Sequence, residues 1–257
     1  MNNKVYDIAM EAGHILLQNG AEISRVEETM ERICRYYGED NADFFVLSNG
    51  IFTTGGYGTK ESYAKVRYIP VNGARLDKVV AVNQLSREIE EGKYASLEEV
   101  KEQLNTISNM PSGKNWQKIL ASGIGSGFFC VLTGGSIPDC MAAFIAGIVL
   151  YIYIIFVAEK YLSKIVSNIL GGAIIVMVCI LCLKLNIGNR LENIISGAIM
   201  PMIPGVAFAN GIRDMADGDY ISGAVRLLDA ILRFLCIAIG VGVAFSIYHG
   251  LAGGAIL

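Results

Sequence analysis

Between residues 201 and 232 the chain reads PMIPGVAFANGIRDMADGDYISGAVRLLDAIL, which places Arg213, Asp214, Asp217 and Asp219 within seven positions and Arg226 one helical stretch later. Guanidinium and carboxylate groups this dense admit two readings. They are either an interfacial loop that keeps its charges in water, or an inner gate whose ion pairs must break for access. Along the chain, Arg213 can pair with Asp217, and Arg226 with Ser222 or Asp229. Pro201 and Pro204 come just before. Each lacks an amide proton and clashes with the preceding turn, so a helix should kink or unwind over Met200–Gly205 and free some carbonyls. In lipid such groups must face protein or an aqueous cavity, where freed backbone groups and helix-end dipoles can bind a zwitterion or an anion. A purely structural kink is the plainer alternative, because prolines are common in membrane helices.

The elements that carry these residues are apolar. Of 257 residues, 53% are hydrophobic and mean hydropathy is +0.46, too oily for an ordinary soluble domain. The average hides two halves. Residues 1–118 hold 14 of the 21 Lys and Arg and 17 of the 24 Asp and Glu, whereas 119–257 hold 7 of each. The expectation is therefore an α-helical membrane protein: about five transmembrane helices over 116–257, preceded by a small α+β cytoplasmic domain over 1–115. The net charge of −3 without a basic stripe gives no reason to expect nucleic acid. Six scattered cysteines and two histidines form no ligand pattern, so no metal or cofactor is expected. Cys179 and Cys182 read as packing residues. No apolar segment opens the chain, so insertion is left to internal helices.

Five apolar runs stand at 119–135, 139–158, 165–185, 191–209 and 229–248, against the ~20 residues that a span needs. The first is short and Gly-rich, and the fourth holds both prolines. Lys114, Lys118, Lys160, Lys164, Arg213 and Arg226 fall on one side, which puts the N-terminus inside and the C-terminus outside a multi-pass plasma-membrane protein. Glycines at 123, 125, 127, 134, 135, 171, 172, 240 and 242 permit close helix packing, or movement. Asp139 and Glu192 belong near outer helix ends, and no ionisable residue lies mid-span.

In the polar half, Val5, Ile8, Ala12, Ile15 and Leu16, then Ile23, Val26, Met30, Ile33 and Tyr37, keep helical spacing around an interruption at Asn19–Gly20. Ser24 with Glu27, and Ser96 with Glu99, have the spacing of capping boxes. Short strands are expected over 44–47, 50–54 and 63–69, with a Gly55–Gly56 turn and a Gly58–Glu61 connection. Helices follow over 71–90 and 97–107, then a linker at 108–115 and Trp116 at the inner interface. No serine has a companion base, and no catalytic constellation is visible. The chain is expected not to be an enzyme.

The stretches LLQNGAEISRVEETMERICRYYG (16–38) and PGVAFANGIRDMADGDYISGAVRLLDA (204–230), with ARLDKVVAVNQLSREIEEGKYASLEEVKEQLNTI (74–107) between them, resemble the threonine/serine exporter family in its first, larger module. The matching signature positions are Gly20, Ala21, Glu22, Arg25, Val26 and Glu27, then Pro204, Gly205, Asn210, Gly211, Arg213, Asp214, Gly218, Asp219, Tyr220, Gly223 and Arg226. The resemblance implies a cytoplasmic domain plus about five spans, working with a smaller membrane module. That module is fused to the first in some members and separate in others, and the split type is the one expected here. It implies efflux of threonine and serine driven by the proton gradient; split bacterial relatives are linked to dicarboxylates such as succinate. A higher oligomer is possible. Joined to the broken-helix argument, it makes Pro201, Pro204, Gly205, Asn210, Arg213, Asp214, Asp219 and Arg226 the candidate solute path, with Arg213 for a carboxylate and Asp214 or Asp219 for an ammonium. That assignment requires Arg213 not to be held in a salt bridge. Gly20, Glu22, Arg25 and Glu27 form the cytoplasmic motif. The rival readings are a membrane-embedded hydrolase and a membrane-anchored ligand sensor.

Overall fold

The computed structural model describes residues 3–55, 63–70, 73–94 and 96–252. The expected turn at Gly56, the Gly58–Glu61 connection, the Val71 helix start and the tail to Leu257 lie outside the described residues. The chain divides into two compact units, residues 1–111 with 205–229, and residues 112–204 with 230–257.

In the first unit, α1 (Asn3–Gln18) and α2 (Ile23–Tyr36) are followed by a three-stranded sheet and by α3 (Leu76–Glu90) and α4 (Leu97–Ser108). Strands β1 (Ala42–Leu47), β2 (Gly50–Gly55) and β3 (Tyr63–Tyr68) pair antiparallel in that order, with Phe45, Phe52 and Val66 in register. Alternation turns Val46, Ile51 and Thr53 inward. The apolar stripes of α1, α2, α3 and α4 close a core around Tyr6, Met10, Leu16, Ile33, Ile89 and Leu104. Lys65 and Tyr63 bond Asp7 at 2.6 and 3.0 Å, and Arg67 bonds Glu11 at 2.6 Å, fastening β3 to α1. Ser96 caps α4 as the spacing predicts, accepting the Glu99 amide at 3.3 Å.

The Ser24–Glu27 capping box is not formed. α2 starts two residues earlier than that box requires, with Glu22 at its N-cap and no side-chain capping bond. This leaves Ser24 and Glu27 free to bond elsewhere.

In the second unit, α5 (Asn115–Leu132) lies against α6 (Ile137–Tyr153), which continues through a π-helical turn, Ile154–Ala158, into α7 (Glu159–Tyr161). α8 (Lys164–Lys184), α9 (Leu191–Ala198) and a 3₁₀ turn, Met200–Met202, follow. After the break, α10 (Gly205–Ala216) belongs to the first unit, and α11 (Tyr220–Ala252) contributes its residues from 230 onward to the second. Small residues set the packing. Ser122 donates to the Gly147 carbonyl at 2.9 Å, and a Cβ on Gly197 would lie 2.6 Å from the Ser126 carbonyl. The Asp139 carboxylate is fully buried and accepts four hydrogen bonds, from Ser136 N and Oγ and from the amides of Asn189 and Arg190. It thereby ties the α5–α6 turn to the α8–α9 loop.

Among the described residues, three helices are long and apolar enough to cross a membrane: Ile137–Tyr161, Lys164–Lys184 and Tyr220–Gly250. They become four if Leu191–Met202 and Gly205–Ala216 form one broken span. The remaining apolar run lies in α5, whose first turn carries Asn115, Gln117 and Lys118 and so shortens its apolar length. The expected break is present. Met200–Met202 is 3₁₀, Ile203 is extended (φ −67°, ψ 122°), and α10 begins at Gly205.

Of the expected packing glycines, Gly172 and Gly240 carry the closest contact. A Cβ on Gly240 would sit 1.9 Å from the Ile169 carbonyl, and one on Gly172 would sit 2.6 Å from that of Ile237. α8 and α11 therefore touch backbone to backbone. Gly125 and Gly242 face open space. Gly240→Ala is accordingly expected to destabilise the detergent-solubilised chain by about 1–3 kcal/mol. Gly242→Ala should leave the thermal midpoint within about a degree of wild type or raise it, because a helical Gly→Ala change is intrinsically favourable. Thermal unfolding of the two variants side by side checks this.

Candidate functional site

The site is built on two helix ends of the same kind. α1 closes with Gly20 in the left-handed region (φ +83°); the Gly20 amide reaches the Leu17 carbonyl at 3.2 Å and the Ala21 amide reaches that of Leu16 at 3.0 Å. α10 closes identically at Gly218 (φ +99°), with the Gly218 amide on Met215 at 3.2 Å and the Asp219 amide on Asp214 at 2.8 Å. Both are Schellman turns, which glycine enters without a Cβ clash. The first turns the chain directly into α2. The second folds α10 back along α11, where Gly211 and Gly223 admit Leu227 and Met215 to near contact.

Each turn lacks what the other supplies. The reversal at Gly20 leaves the carbonyls of Gly20 and Ala21 and the first amides of α2 without helical partners. Asn210 Nδ2 donates to the Gly20 carbonyl at 2.7 Å, and Arg226 Nη2 to that of Ala21 at 2.8 Å. The Ile23 amide donates to Asp214 Oδ1 at 3.1 Å, and Ser24 Oγ to Asp217 Oδ2 at 3.2 Å. Glu22 is paired with Arg213 and lies 3.8 Å from Arg25. Five successive residues of the first motif are thus met by five side chains of the second.

At the centre, Asp214 is 0% exposed and Arg226 9%, and Arg226 Nη1 stands 2.9 Å from Asp214 Oδ2. The distance is that of an ion pair, although these two atoms miss hydrogen-bonding directions. Burial raises the pKa of Asp219 between the helices, and the neighbouring Asp217 charge raises it further, while Arg226 opposes the shift. Half-burial likewise raises that of Glu27; the Val46 amide, 3.0 Å away, partly offsets this, and the Asp219 and Glu31 charges add to it.

The expected pairing along the chain is not what forms. Arg213 reaches Glu22 rather than Asp217, and Arg226 reaches the Ala21 carbonyl and Asp214 rather than Ser222 or Asp229. A partner 191 or 205 positions away in sequence supplies geometry that an i,i+4 neighbour cannot. The condition on Arg213 as a free carboxylate receptor is therefore not met in this arrangement, since its guanidinium is engaged by Glu22. Pro201, Pro204 and Gly205 flank the break that precedes α10. The sequence marked Gly20, Glu22, Asn210, Asp214 and Arg226 without joining them; Ile23 signalled only an apolar helix face and Ser24 only a helix cap, whereas the first acts here through its backbone amide and the second through its hydroxyl. Among the described residues no group of three or more His, Cys, Asp or Glu has the arrangement of a metal site, and all six cysteines are free.

Comparison with known proteins gives the arrangement its context. The ThrE family model, which describes threonine/serine exporters, matches residues 7–248. The chain belongs to the threonine/serine exporter family. Two relatives carry the name "Probable succinate transporter subunit YjjP". One, from Klebsiella aerogenes, is 24% identical over 241 residues, 93% of this chain and 92% of the relative. The other, from Escherichia coli K12, is 24% identical over 247 residues, 96% and 95% of the two chains. An uncharacterised protein of Schizosaccharomyces pombe is 20% identical over 181 residues, 67% of this chain and 22% of its own length. No solved structure matches. For a threonine/serine exporter family member, a polar junction joining the two signature regions is the feature to probe first.

Two measurements test that junction. Arg226→Met leaves Asp214 charged and buried without its partner and is expected to destabilise the chain by about 3–5 kcal/mol, whereas Asp214→Leu combined with Arg226→Met recovers at least half of that loss; thermal unfolding of the single and double variants reads the cycle. The second concerns Glu27. A carboxyl raised in the folded state holds a proton that the unfolded chain has lost, so stability falls as pH rises from the usual value of 4.5 through the raised one, and is flat above it. Glu27→Gln keeps an acceptor for the Val46 amide. It should flatten that decline and leave the melting temperature at pH 7 equal to or above wild type in a pH series.

Proposed function

We propose that this chain is the larger subunit of a two-component secondary transporter that exports a small carboxylate-bearing solute across the plasma membrane. The observation that carries the reading is the family match over residues 7–248. The family description names threonine and serine, and the two enterobacterial relatives, aligned over more than nine-tenths of both chains, are named for succinate. These solutes share a carboxylate, and the relatives make succinate the first to test, with threonine and serine beside it.

In this reading the chain crosses the bilayer five times, α5 included, with residues 1–115 cytoplasmic and the C-terminus outside. The excess of Lys114, Lys118, Lys160 and Lys164 on one side supports that orientation. A smaller membrane protein supplies the second module, as the word subunit in the relatives' names suggests, and the proton gradient drives export. The solute passes the break at Pro201, Pro204 and Gly205, where backbone groups freed from helical bonding receive its carboxylate. Asn210, Arg213, Asp214, Asp219 and Arg226 line the inner end of the route, with Gly20, Glu22, Arg25 and Glu27 against them.

Cells preloaded with labelled succinate, threonine and serine should lose at least one of them when the chain is co-expressed with its small membrane partner, and retain them with either protein alone. Pro201→Ala with Pro204→Ala is expected to slow that loss about tenfold or more at unchanged membrane levels. Retention of all three solutes by cells carrying both proteins would reject the assignment.

A further inference from the structure

We propose that the outward face of the three-stranded sheet, centred on Phe45, Phe52 and Val66, is a contact between two copies of this chain held in one membrane. The inference goes beyond the transporter reading and does not require it.

Alternation assigns each strand residue to one side of the sheet. The inward side buries Val46, Ile51 and Thr53, and its Lys65 and Arg67 are paired with Asp7 and Glu11 of α1. The outward side carries Phe45 and Leu47 of β1, Phe52 of β2, and Val66 and Tyr68 of β3. Phe45, Phe52 and Val66 stand level across all three strands, and the rings of Phe45 and Phe52 are 6.0 Å apart. Their exposures of 56%, 40% and 67%, with 73% for Tyr68, leave this surface largely uncovered by the described residues. An antiparallel sheet with one wet side alternates apolar and polar residues, whereas one that is apolar on both sides is suited to a packed layer on each. The helices α1 to α4 supply one layer. The outward layer is not supplied by the described residues.

The size and charge of the face choose its occupant. Three six-residue strands, at about 3.4 Å per residue and about 4.8 Å between strands, make a face of roughly 290 Å². A stable complex of freely diffusing proteins buries about 800 Å² on each partner. So small a contact is useful between chains already concentrated together, as copies in one bilayer are, and is too small to recruit a soluble protein. Copies of one chain also present the face on the same side of the membrane. A two-fold contact sets a surface against itself, so any charge at its centre would meet its own like. Here the centre is neutral. Among the described residues, Asp43 is the one ionisable group on the outward side, and it lies two positions beyond Phe45 at the edge of the patch. The absence of a cation there likewise offers nothing to an anionic lipid headgroup. Phe52, on the middle strand, has a large apolar neighbour on each side, so a two-fold axis through the patch brings Phe52 close to its own counterpart.

Energy transfer between donor-labelled and acceptor-labelled full-length chains in liposomes tests this, with and without the small membrane partner. Wild type should transfer above the chance level fixed by diluting the protein in lipid. Phe52→Asp and Phe52→Lys should each lower that excess about fivefold or more, because like charges then face each other across the axis. Donor chains with Phe52→Asp mixed with acceptor chains with Phe52→Lys should regain at least half of it, which also shows that both variants fold. No excess transfer in wild type, an excess indifferent to either charge, or a mixture that recovers nothing would overturn the proposal. If both charged variants keep the excess but no longer co-purify with the small membrane protein, the face belongs to that protein and the second copy is rejected as its occupant. Solute efflux enters none of these readings, so failure of the transporter assignment leaves the test intact.

Discussion

A chain that reverses between two helices exposes backbone groups that neither helix can satisfy, and the first unit is organised around one such debt. The Gly20 reversal presents two carbonyls and an amide, and these are met by Asn210, Arg226 and Asp214 from a hairpin some 190 residues further on. Backbone groups cannot be mutated away, so the requirement persists whatever side chains surround them. The matching side chains must then be held at fixed positions, and the tight α10–α11 contact at Gly211 and Gly223 does that. The residues on both sides become interdependent through this geometry.

The second unit follows a different rule. Lipid removes the hydrophobic force between helices, and contact is left to close backbone approach and a few internal hydrogen bonds. Gly172 and Gly240 bring α8 and α11 together, Ser122 and Gly147 join α5 to α6, and the buried Asp139 gathers loop amides at one end. The first unit, by contrast, buries the long apolar stripes of α1, α2, α3 and α4 in a common core.

Charge has a correspondingly different meaning in each part. On β3 the pairs with Asp7 and Glu11 are partly exposed and contribute modestly. At the junction, Asp214 and Arg226 are buried, so losing either partner is far more damaging than losing both. The same burial raises the proton affinity of Asp219 and Glu27.

The sequence by itself determined whatever depends on local composition and spacing. Apolar length separated an oily half from a polar one, helical periodicity interrupted at Asn19–Gly20 placed α1 and α2, alternation placed three strands, and two prolines placed the break before α10. These signals span a few turns of chain, and the physics behind them acts over the same distance. The number of spans was less legible, because apolar length and polar ends compete in α5. What only the tertiary structure decided is which charges meet. Arg213 and Arg226 each had a plausible partner on their own helix, yet they are taken by Glu22 and by Asp214 with the Ala21 carbonyl. Ser24, spaced to cap its own helix, bonds Asp217 instead. An ion pair is chosen by where two helix ends come to rest, and that position is set by packing the whole unit, which no stretch of sequence encodes alone.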